Sequence, residues 1–536
     1  MAPSTTIGII PKTGPSVRIR RLYHRGPAVS GTDRPSSAGW RRLIVSIPSV
    51  YGASGLGRRH PVTDQGVAAL AVVSALAVRT GGSVATWACG AVAVWLVGVP
   101  DRRARSAGSV AVGWGIAAAL VVGCVVVGSW RSTTAWEGLT PSRLGPFDGW
   151  ALVIDDPQPY PGSTRVIVEL DGERFETWHR GRAARLRAGS WRAGEWVRMV
   201  GERAELDDER AHRVAWQHVV GELELTWASD VVPGRPIDRA SNRVRSAIER
   251  GAGTLPGDDG ALFRGLVVGD DRDQPPEMIQ RFRASGLSHL TAVSGQNVSF
   301  VLAAAGPLLV RLRPWWRWVV TLGLIAWFVS LTRFEPSIVR AGVMAGLSAT
   351  GFVLGRERSP LRLVACAVIG LLSIDPLLAW SIGFWLSVGA TAGVVTVGPW
   401  LAARLGTLGP LATPVGVTLG AQVGVVIPLV WVFGSLPVVS VPANLLAVPV
   451  AGFVMLYGLP AGLLAGALAE PAPWLASLVM LPCRVGVRWV DTIAVLGERF
   501  EPGGSASWWG WAGLVVAIGA IAAMNRGRHG SPSADR

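Results

Sequence analysis

Long apolar runs separated by short charged connectors make up most of the chain, and one central stretch breaks that rhythm. Apolar segments near 66–80, 83–99 and 107–129 come first. About eight more follow, near 295–311, 317–331, 336–355, 361–379, 381–400, 411–434, 440–468 and 507–524. The 440–468 run reads as two helices hinged at Gly458-Leu459-Pro460. Runs of this length match the roughly 20 helical residues that cross a bilayer core. The pattern predicts three transmembrane helices over 63–130 and a multi-helix domain over 295–524, with a short tail over 525–536. Residues 473–503 have a helical apolar face but carry Arg484, Arg488, Asp491 and Glu498, which predicts a surface or re-entrant element.

Residues 131–230 follow a different period. "GWALVIDDPQPYPGSTRVIVELDGERFETWHR" alternates apolar and polar positions, with turn signals at Asp155-Asp156-Pro157, Pro161-Gly162 and Asp171-Gly172. Several short strands at this spacing predict a small β-barrel or sandwich inserted into an α-helical polytopic membrane protein. Residues 231–294 then read as connecting helices. One is an amphipathic stretch over 235–251. Another starts at Pro275-Pro276, shows Met278, Ile279 and Phe282 on one face, and stops at Gly286.

Charge orients this layout. Arginines mark the connectors Asp101–Ser106, Arg311–Arg317 and Arg356–Arg362, and recur at Arg404, Arg526 and Arg528. Arginine-rich short loops stay cytoplasmic. Both termini are therefore expected in the cytoplasm of a multi-pass protein of the cytoplasmic membrane, with the β domain outside. Of the formal charge of +15, about nine units lie in residues 1–62, which hold Lys12 and nine arginines against Asp33 alone. That tail is rich in Pro, Gly and Ser and has no apolar period, so it reads as disordered.

Composition narrows the chemistry. Lys12 is the only lysine and lies in "GIIPKTG", so no Gly-Lys-Ser/Thr phosphate loop exists. The seven histidines are isolated and the four cysteines, Cys89, Cys124, Cys366 and Cys483, lie in or beside apolar runs. No metal, cofactor or hydrolase site is expected from them. Asp258, Asp259, Asp270, Asp271 and Asp273 suit a hard cation by composition, but read more simply as a solvated acidic loop.

The densest set of polar side chains at a membrane entry is "GLSHLTAVSGQNVSF", residues 286–300. On one continuous helix, Ser288, His289, Thr291, Gly295, Gln296 and Ser299 fall on a single arc of roughly 160° at 100° per residue. Such an arc lines a polar path or makes ordinary interhelical hydrogen bonds. A break at Gly295 would instead give a discontinuous helix. Arg340 lies just inside the next span but one. It reads as a buried functional cation or as a snorkelling partner of Glu335. Asp375 reads as a turn cap before Pro376 or as a relay. Asn444 lies between Pro442 and Pro449, a second candidate break. Ser294 within "AVSGQ" approaches an intramembrane serine site, but Ala292 stands where that motif has glycine and no histidine in a later span can serve as its base.

Residues 146–230 hold 11 arginines against 16 acids, yet 179–203 has seven arginines and two acids, interleaved with tryptophans. Arg180, Arg182, Arg185, Arg187, Trp191, Arg192 and Trp196 are thus candidates for a single-strand stacking surface, or a basic turn over core tryptophans.

The segment "ALFRGLVVGDDRDQPPEMIQRFRASGLSHLTAVSGQNVSF" resembles the signature of ComEC/Rec2-type competence proteins. "EPSIVRAGVMA", "LLSIDPLLAWSIGFWLSVGATAGV" and "IPLVWVFGSLPVVSVPANLLAVPVAGF" are similar to later landmarks of the same domain. The resemblance implies an OB-like fold for the β domain and a membrane channel that imports single-stranded DNA during transformation. It assigns Gly286, His289, Ser294 and Gly295 to the signature turn. Arg340, Asp375, Pro376, Gly383, Phe384, Leu386, Ser387, Pro442, Asn444 and Pro449 fall on later motif positions. The DNA path then runs past Ser288, His289, Thr291, Ser294, Gly295, Gln296, Asn297, Ser299, Arg340, Asp375 and Asn444. Where relatives commonly have Ser-Gly-Leu-His-Val, this chain has Ser294-Gly295-Gln296-Asn297-Val298, so the segment works by shape and hydrogen bonding. The chain carries no metallo-β-lactamase-like segment of the kind many relatives end in. The implied partners are single-stranded DNA, the lipid bilayer, a DNA receptor, a separate ATPase or helicase, a separate nuclease and further copies of the chain. The rival readings are a secondary carrier of a small solute or lipid, using Arg340 and Asp375, and an intramembrane hydrolase using Ser294.

Overall fold

The computed structural model describes residues 64–98, 107–291, 295–355, 359–434 and 436–529. The basic tail, the Asp101–Ser106 connector, Ser294, Arg356 and Arg358 lie outside the described residues. Three helices open the fold: α1 (Asp64–Thr80), α2 (Val84–Gly98) and α3 (Ala107–Glu137). They pack on one another through Leu70, Val73, Ala77, Ala93, Val97, Ala117, Val121 and Val125. Helix α3 continues past Trp130 to Glu137, and residues 138–144 connect it to the β domain.

The β domain is a closed five-stranded barrel of OB-like order. Its strands are β1 (Gly145–Val153), β2 (Gln158–Tyr160), β3 (Ser163–Leu170), β4 (Glu173–Arg180), β5 (Trp196–Glu205) and β6 (Val219–Val232). The sheet runs β1-β5-β6-β4-β3, and a β1–β3 pairing at Leu152↔Glu169 and Val153↔Val168 closes the ring. Strand β2 is appended to β3 as a hairpin. Strands β4 and β6 pair parallel, every other pair antiparallel. The period-two pattern accounts for this: Phe147, Ala151, Val153, Val166, Val168, Val197 and Met199 all point into one core. Helix α4 (Arg182–Gly189) bridges β4 and β5. Helix α5 (Asp208–Val214) lies over the β3–β4 surface, where Arg210 reaches Glu176 at 2.5 Å and sits 4.8 Å above the Trp178 ring. Closure leaves the short strand β2 as the sheet's edge.

The connecting helices are α6 (Pro236–Ala252), α7 (Asp259–Val268), α8 (Pro276–Ala284) and α9 (Ser288–Thr291). Helix α8 ends as its sequence dictates, at Gly286 in the left-handed region, φ 71°. The helical domain continues with α10 (Gly295–Leu309), α11 (Pro314–Leu331), α12 (Pro336–Val353), α13 (Pro360–Ile374), α14 (Ile382–Arg404), α15 (Ala412–Phe433), α16 (Ser440–Leu468), α17 (Pro473–Phe500) and α18 (Gly504–His529). Among the described residues, four stretches are long and apolar enough to cross a membrane: Trp114–Glu137, Ile382–Arg404, Gly406–Phe433 and Ser440–Leu468. Val84–Val97, Pro360–Ile374 and Ala506–Ile521 are shorter apolar helices.

Two details differ from the sequence reading. Helix α16 runs unbroken for 29 residues through Gly458-Leu459-Pro460. There Gly458 and Gly462 leave room for the Phe263 ring of α7 to pack against the helix. The 473–503 region is one 28-residue amphipathic helix, with Ala476, Met480, Cys483, Val487, Val490 and Ala494 inside the largest core cluster. Its charges are tied down: Arg488 meets Asp259 at 2.9 Å and Asp491 meets Arg281 at 2.7 Å. Helices α14 and α15 meet backbone to backbone at Gly389, Gly393, Gly420 and Gly424, where a Cβ would strike the facing carbonyls. Small residues at four-residue spacing permit this approach in lipid.

Candidate functional site

The signature segment comprises α9 up to Thr291 and α10 from Gly295, with 292–294 outside the described residues. Ser288, His289, Gln296 and Ser299 are exposed, Thr291 is half-buried, and Asn297 is buried with its Nδ2 donating to the Leu266 carbonyl at 3.4 Å.

The structure sets Arg340 beside the start of α10. Its Nη2 lies 3.4 Å from where a Cβ on Gly295 would sit. Only 3% of the residue is exposed. The guanidinium does not reach Glu335. Instead its Nε donates to Ser387 Oγ at 3.1 Å, its Nη2 donates to the same oxygen, and its Nη1 contacts Met344 Sδ at 3.2 Å. Among the described residues no carboxylate lies in ion-pair range of it. Gly295 keeps the α10 backbone close to α12, its Cβ position lying 2.8 Å from Ala341 Cβ. The buried guanidinium is a charged donor suited to an anionic oxygen.

Asn444 and Asp375 stand apart from it. Asn444 donates within its own helix to the Ser440 carbonyl at 2.7 Å, and Ser440 Oγ accepts from Gln422 Nε2 at 3.0 Å. Asp375 caps the turn before Pro376, its Oδ1 accepting from the Leu377 N–H at 3.0 Å. Its second oxygen meets His218 Nε2 of the barrel at 3.0 Å. Asp375 is thus a docking point between barrel and helices.

A larger polar constellation, which the sequence does not reveal, joins the same two bodies. Arg245 of α6 pairs with Asp156 of the β1–β2 loop at 2.8 Å and donates to the Leu331 carbonyl at 3.2 Å. Asp156 also accepts from Arg333 at 3.3 Å and from the Ala193 N–H at 3.1 Å. Arg333 reaches back to Asn242 Oδ1 at 2.5 Å. Glu249 of α6 holds Arg192 of the barrel at 2.5 Å and Arg272 at 2.6 Å, and Arg272 pairs with Asp270 at 2.7 Å. Burial opposes ionisation of Asp156, yet Arg245 and Arg333 outweigh it and hold its carboxyl well below the usual carboxylate range. Asp270 is lowered in the same way, burial being overcome by Arg272, Arg245 and Arg264. Beside them Asp155 is pushed up to about 6, by burial and then by Asp156. Glu335 is pushed up to about 7, by burial and then by Asp155 and Asp271. The α11–α12 turn that presents Arg333 places Arg333 and Phe334 in the left-handed region, φ 59° and 57°. That costs about 1–3 kcal/mol per residue, which the contacts of Arg333 help offset.

This network revises one expectation: of the acids read as a solvated loop, Asp258, Asp271 and Asp273 are exposed, but Asp270 is 3% exposed and paired with arginines. Among the described residues no cluster of His, Cys, Asp and Glu forms a metal site. On the barrel, Trp191 is core, 1% exposed and edge-on to His179, so it cannot stack on a ligand. Arg192 is engaged by Glu249 and Trp196 is half-buried in β5. Arg180, Arg182, Arg185 and Arg187 remain exposed around α4, with Arg187 bonded to the Ala228 carbonyl at 3.1 Å. The alternative reading of 179–203, a basic turn over core tryptophans, holds for Trp191, while exposure of the α4 arginines fits either reading.

Fold and site together define a membrane protein of many helices with an OB-like barrel locked onto them by ion pairs. Residues 266–528 match the model of the family described as "Competence protein". The uncharacterized protein YcaI of Escherichia coli (strain K12) is 29% identical over 214 residues, covering 36% of this chain and 27% of its own length. ComE operon protein 3 of Bacillus subtilis (strain 168) is 28% identical over 201 residues, covering 37% and 26%. Competence protein ComA of Neisseria gonorrhoeae is 29% identical over 199 residues, covering 35% and 28%. These matches span about a quarter of the relatives' length. No solved structure matches the chain. The family model and these relatives together support a ComEC-type competence family for the chain.

Proposed function

We propose that this protein is a channel that passes single-stranded DNA across the cytoplasmic membrane during transformation. The observation that carries the reading is Arg340: a cation buried among helices beside Gly295 of the signature segment, with no carboxylate in ion-pair range among the described residues. Burying such a charge is costly, and intramembrane cations of this kind mark ligand or ion pathways. A passing phosphodiester, one negative charge per nucleotide, is the complement of that site. The exposed polar residues Ser288, His289, Gln296 and Ser299 extend a hydrogen-bonding surface from it. The α4 arginines of the barrel offer a first, solvent-exposed attraction to the strand.

In this reading both termini are cytoplasmic and the barrel is outside. The chain performs no bond chemistry itself. A DNA receptor, a motor ATPase or helicase and a nuclease act as separate polypeptides, and copies of the chain assemble in the bilayer. The test is uptake of labelled DNA into the cytoplasm of a transformable host whose own copy of this gene is deleted. Loss of internalised label with binding at the cell surface retained is the expected result; unchanged internalisation overturns the channel.

A further inference from the structure

A cavity of ≈ 370 Å³ opens where α1, α3 and the turn after α13 converge beneath the barrel. Two indoles form one corner of it. Trp136 and Trp380 meet edge to face, ring centroids 5.1 Å apart at 82°. Trp136 also packs on His212 of the barrel, 4.7 Å away, so the corner lies on the seam between barrel and helices. We propose that this cavity is a nucleobase pocket that takes one base of the translocating strand, with preference for bases that carry an exocyclic amine.

The hydrogen bonds of the cavity wall support that ligand class. Ser132 Oγ spends its proton on the Val78 carbonyl at 2.7 Å, and Thr133 Oγ1 spends its own on the Ser129 carbonyl at 3.1 Å. Ser129 Oγ donates to the Ala77 carbonyl at 3.4 Å. With their protons committed, these hydroxyls present lone pairs to the cavity, and Glu137 at the rim adds a carboxylate. These lone pairs and the carboxylate receive N–H groups and offset the attraction of Arg79 for a phosphate. Arg79 lines the same cavity, anchored by Nη1 on the Ala379 carbonyl at 2.8 Å and stacked 5.3 Å over Trp431, and its charge disfavours a cationic ligand. What remains is a neutral planar ring that donates from one edge and accepts on another. Cytosine, adenine and guanine have that character; thymine, with two carbonyls and one ring N–H, has less of it. The volume suits a single nucleoside and excludes a duplex, in keeping with a strand that must be single before it enters.

The inference rests on the DNA reading and is tested with the purified full-length protein in lipid nanodiscs. Fluorescence anisotropy measures binding of labelled oligo-dC, oligo-dA and oligo-dT. Oligo-dC and oligo-dA are expected to bind more tightly than oligo-dT. Trp380→Leu is expected to weaken them about tenfold, the scale of losing one base–aromatic stack. Thr133→Val keeps the shape of the side chain and is expected to narrow the gap between oligo-dC and oligo-dT. If the wild type binds no oligonucleotide, the DNA reading and the pocket fall together. If the wild type binds but both variants match it in affinity and base preference, the pocket alone falls. A phospholipid retained by the wild type and lost from Thr133→Val, with oligonucleotide binding unchanged, also overturns the pocket and makes the cavity a lipid site.

Discussion

Arg245 and Asp156, distant in sequence, meet at 2.8 Å with side-chain exposures of only 4% and 12%. One belongs to an amphipathic helix of the membrane domain, the other to a barrel loop, and their ion pair is the centre of the seam. A buried pair of this kind is weak evidence of net stability, since desolvation opposes attraction. Removing one partner is a different matter, because the other is left charged and buried.

Arg245→Ala is therefore expected to cost about 3–5 kcal/mol, and Asp156→Ala a similar amount. The double variant is expected to lose much less than the sum. Thermal unfolding of the detergent-solubilised protein, read with limited proteolysis at the barrel boundaries, measures both. Additive losses would show that the two side chains act independently.

The acids beside this pair give the seam a pH dependence. Asp155 and Glu335 are held at about 6 and about 7, above their ordinary 3.8 and 4.5. A carboxyl raised on folding contributes stability while it is protonated and loses it as the pH climbs through the folded value. The seam is thus expected to weaken as pH rises from about 4 to about 7. Asp156 and Asp270 are shifted the other way, so their contribution persists across this window and is lost only in stronger acid. Asp155→Asn combined with Glu335→Gln is expected to flatten the dependence of the unfolding temperature between those limits. An unchanged slope would assign the dependence to other groups.

Helices α14 and α15 offer a test within the membrane domain. Gly393 faces the Gly420 carbonyl with no room for a side chain. Gly393→Val must push the two helices apart, a strain of about 1–3 kcal/mol if the pair yields locally. The expected result is a lower unfolding temperature and a broadened size-exclusion profile, while Gly370→Ala, with nothing within 4 Å of its added carbon, changes neither.

Local periodicity made most of the architecture legible. The barrel strands follow from alternation at Val166, Val168, Val197 and Met199, and the helices from their apolar runs. Gly286 and the Pro275-Pro276 start marked the ends of α8 correctly because both act through backbone geometry alone. The seam was not legible. Asp156, Arg245, Arg272 and Arg333 come from four separate elements, and nothing local distinguishes them from solvated charges. Trp191 stayed ambiguous between a stacking surface and the core because it follows a run of arginines, and closure of the barrel puts it inside.

Arg340 separates a functional charge from a structural one. If it serves the fold, its loss destabilises the protein through Ser387 and Met344, the neighbours it bonds. If it is held for a passing phosphate, its burial is a standing desolvation cost, and a neutral side chain of similar length relieves that cost. Arg340→Met is therefore expected to leave the unfolding temperature unchanged or raised, while cytoplasmic uptake of labelled DNA falls at least about tenfold, the loss of one charge-assisted contact of about 1.5–3 kcal/mol. Arg340→Lys keeps the charge but not the planar fork and is expected to fall between the two. A variant that unfolds at lower temperature yet imports DNA normally would make Arg340 a packing residue and remove the observation on which the channel reading rests.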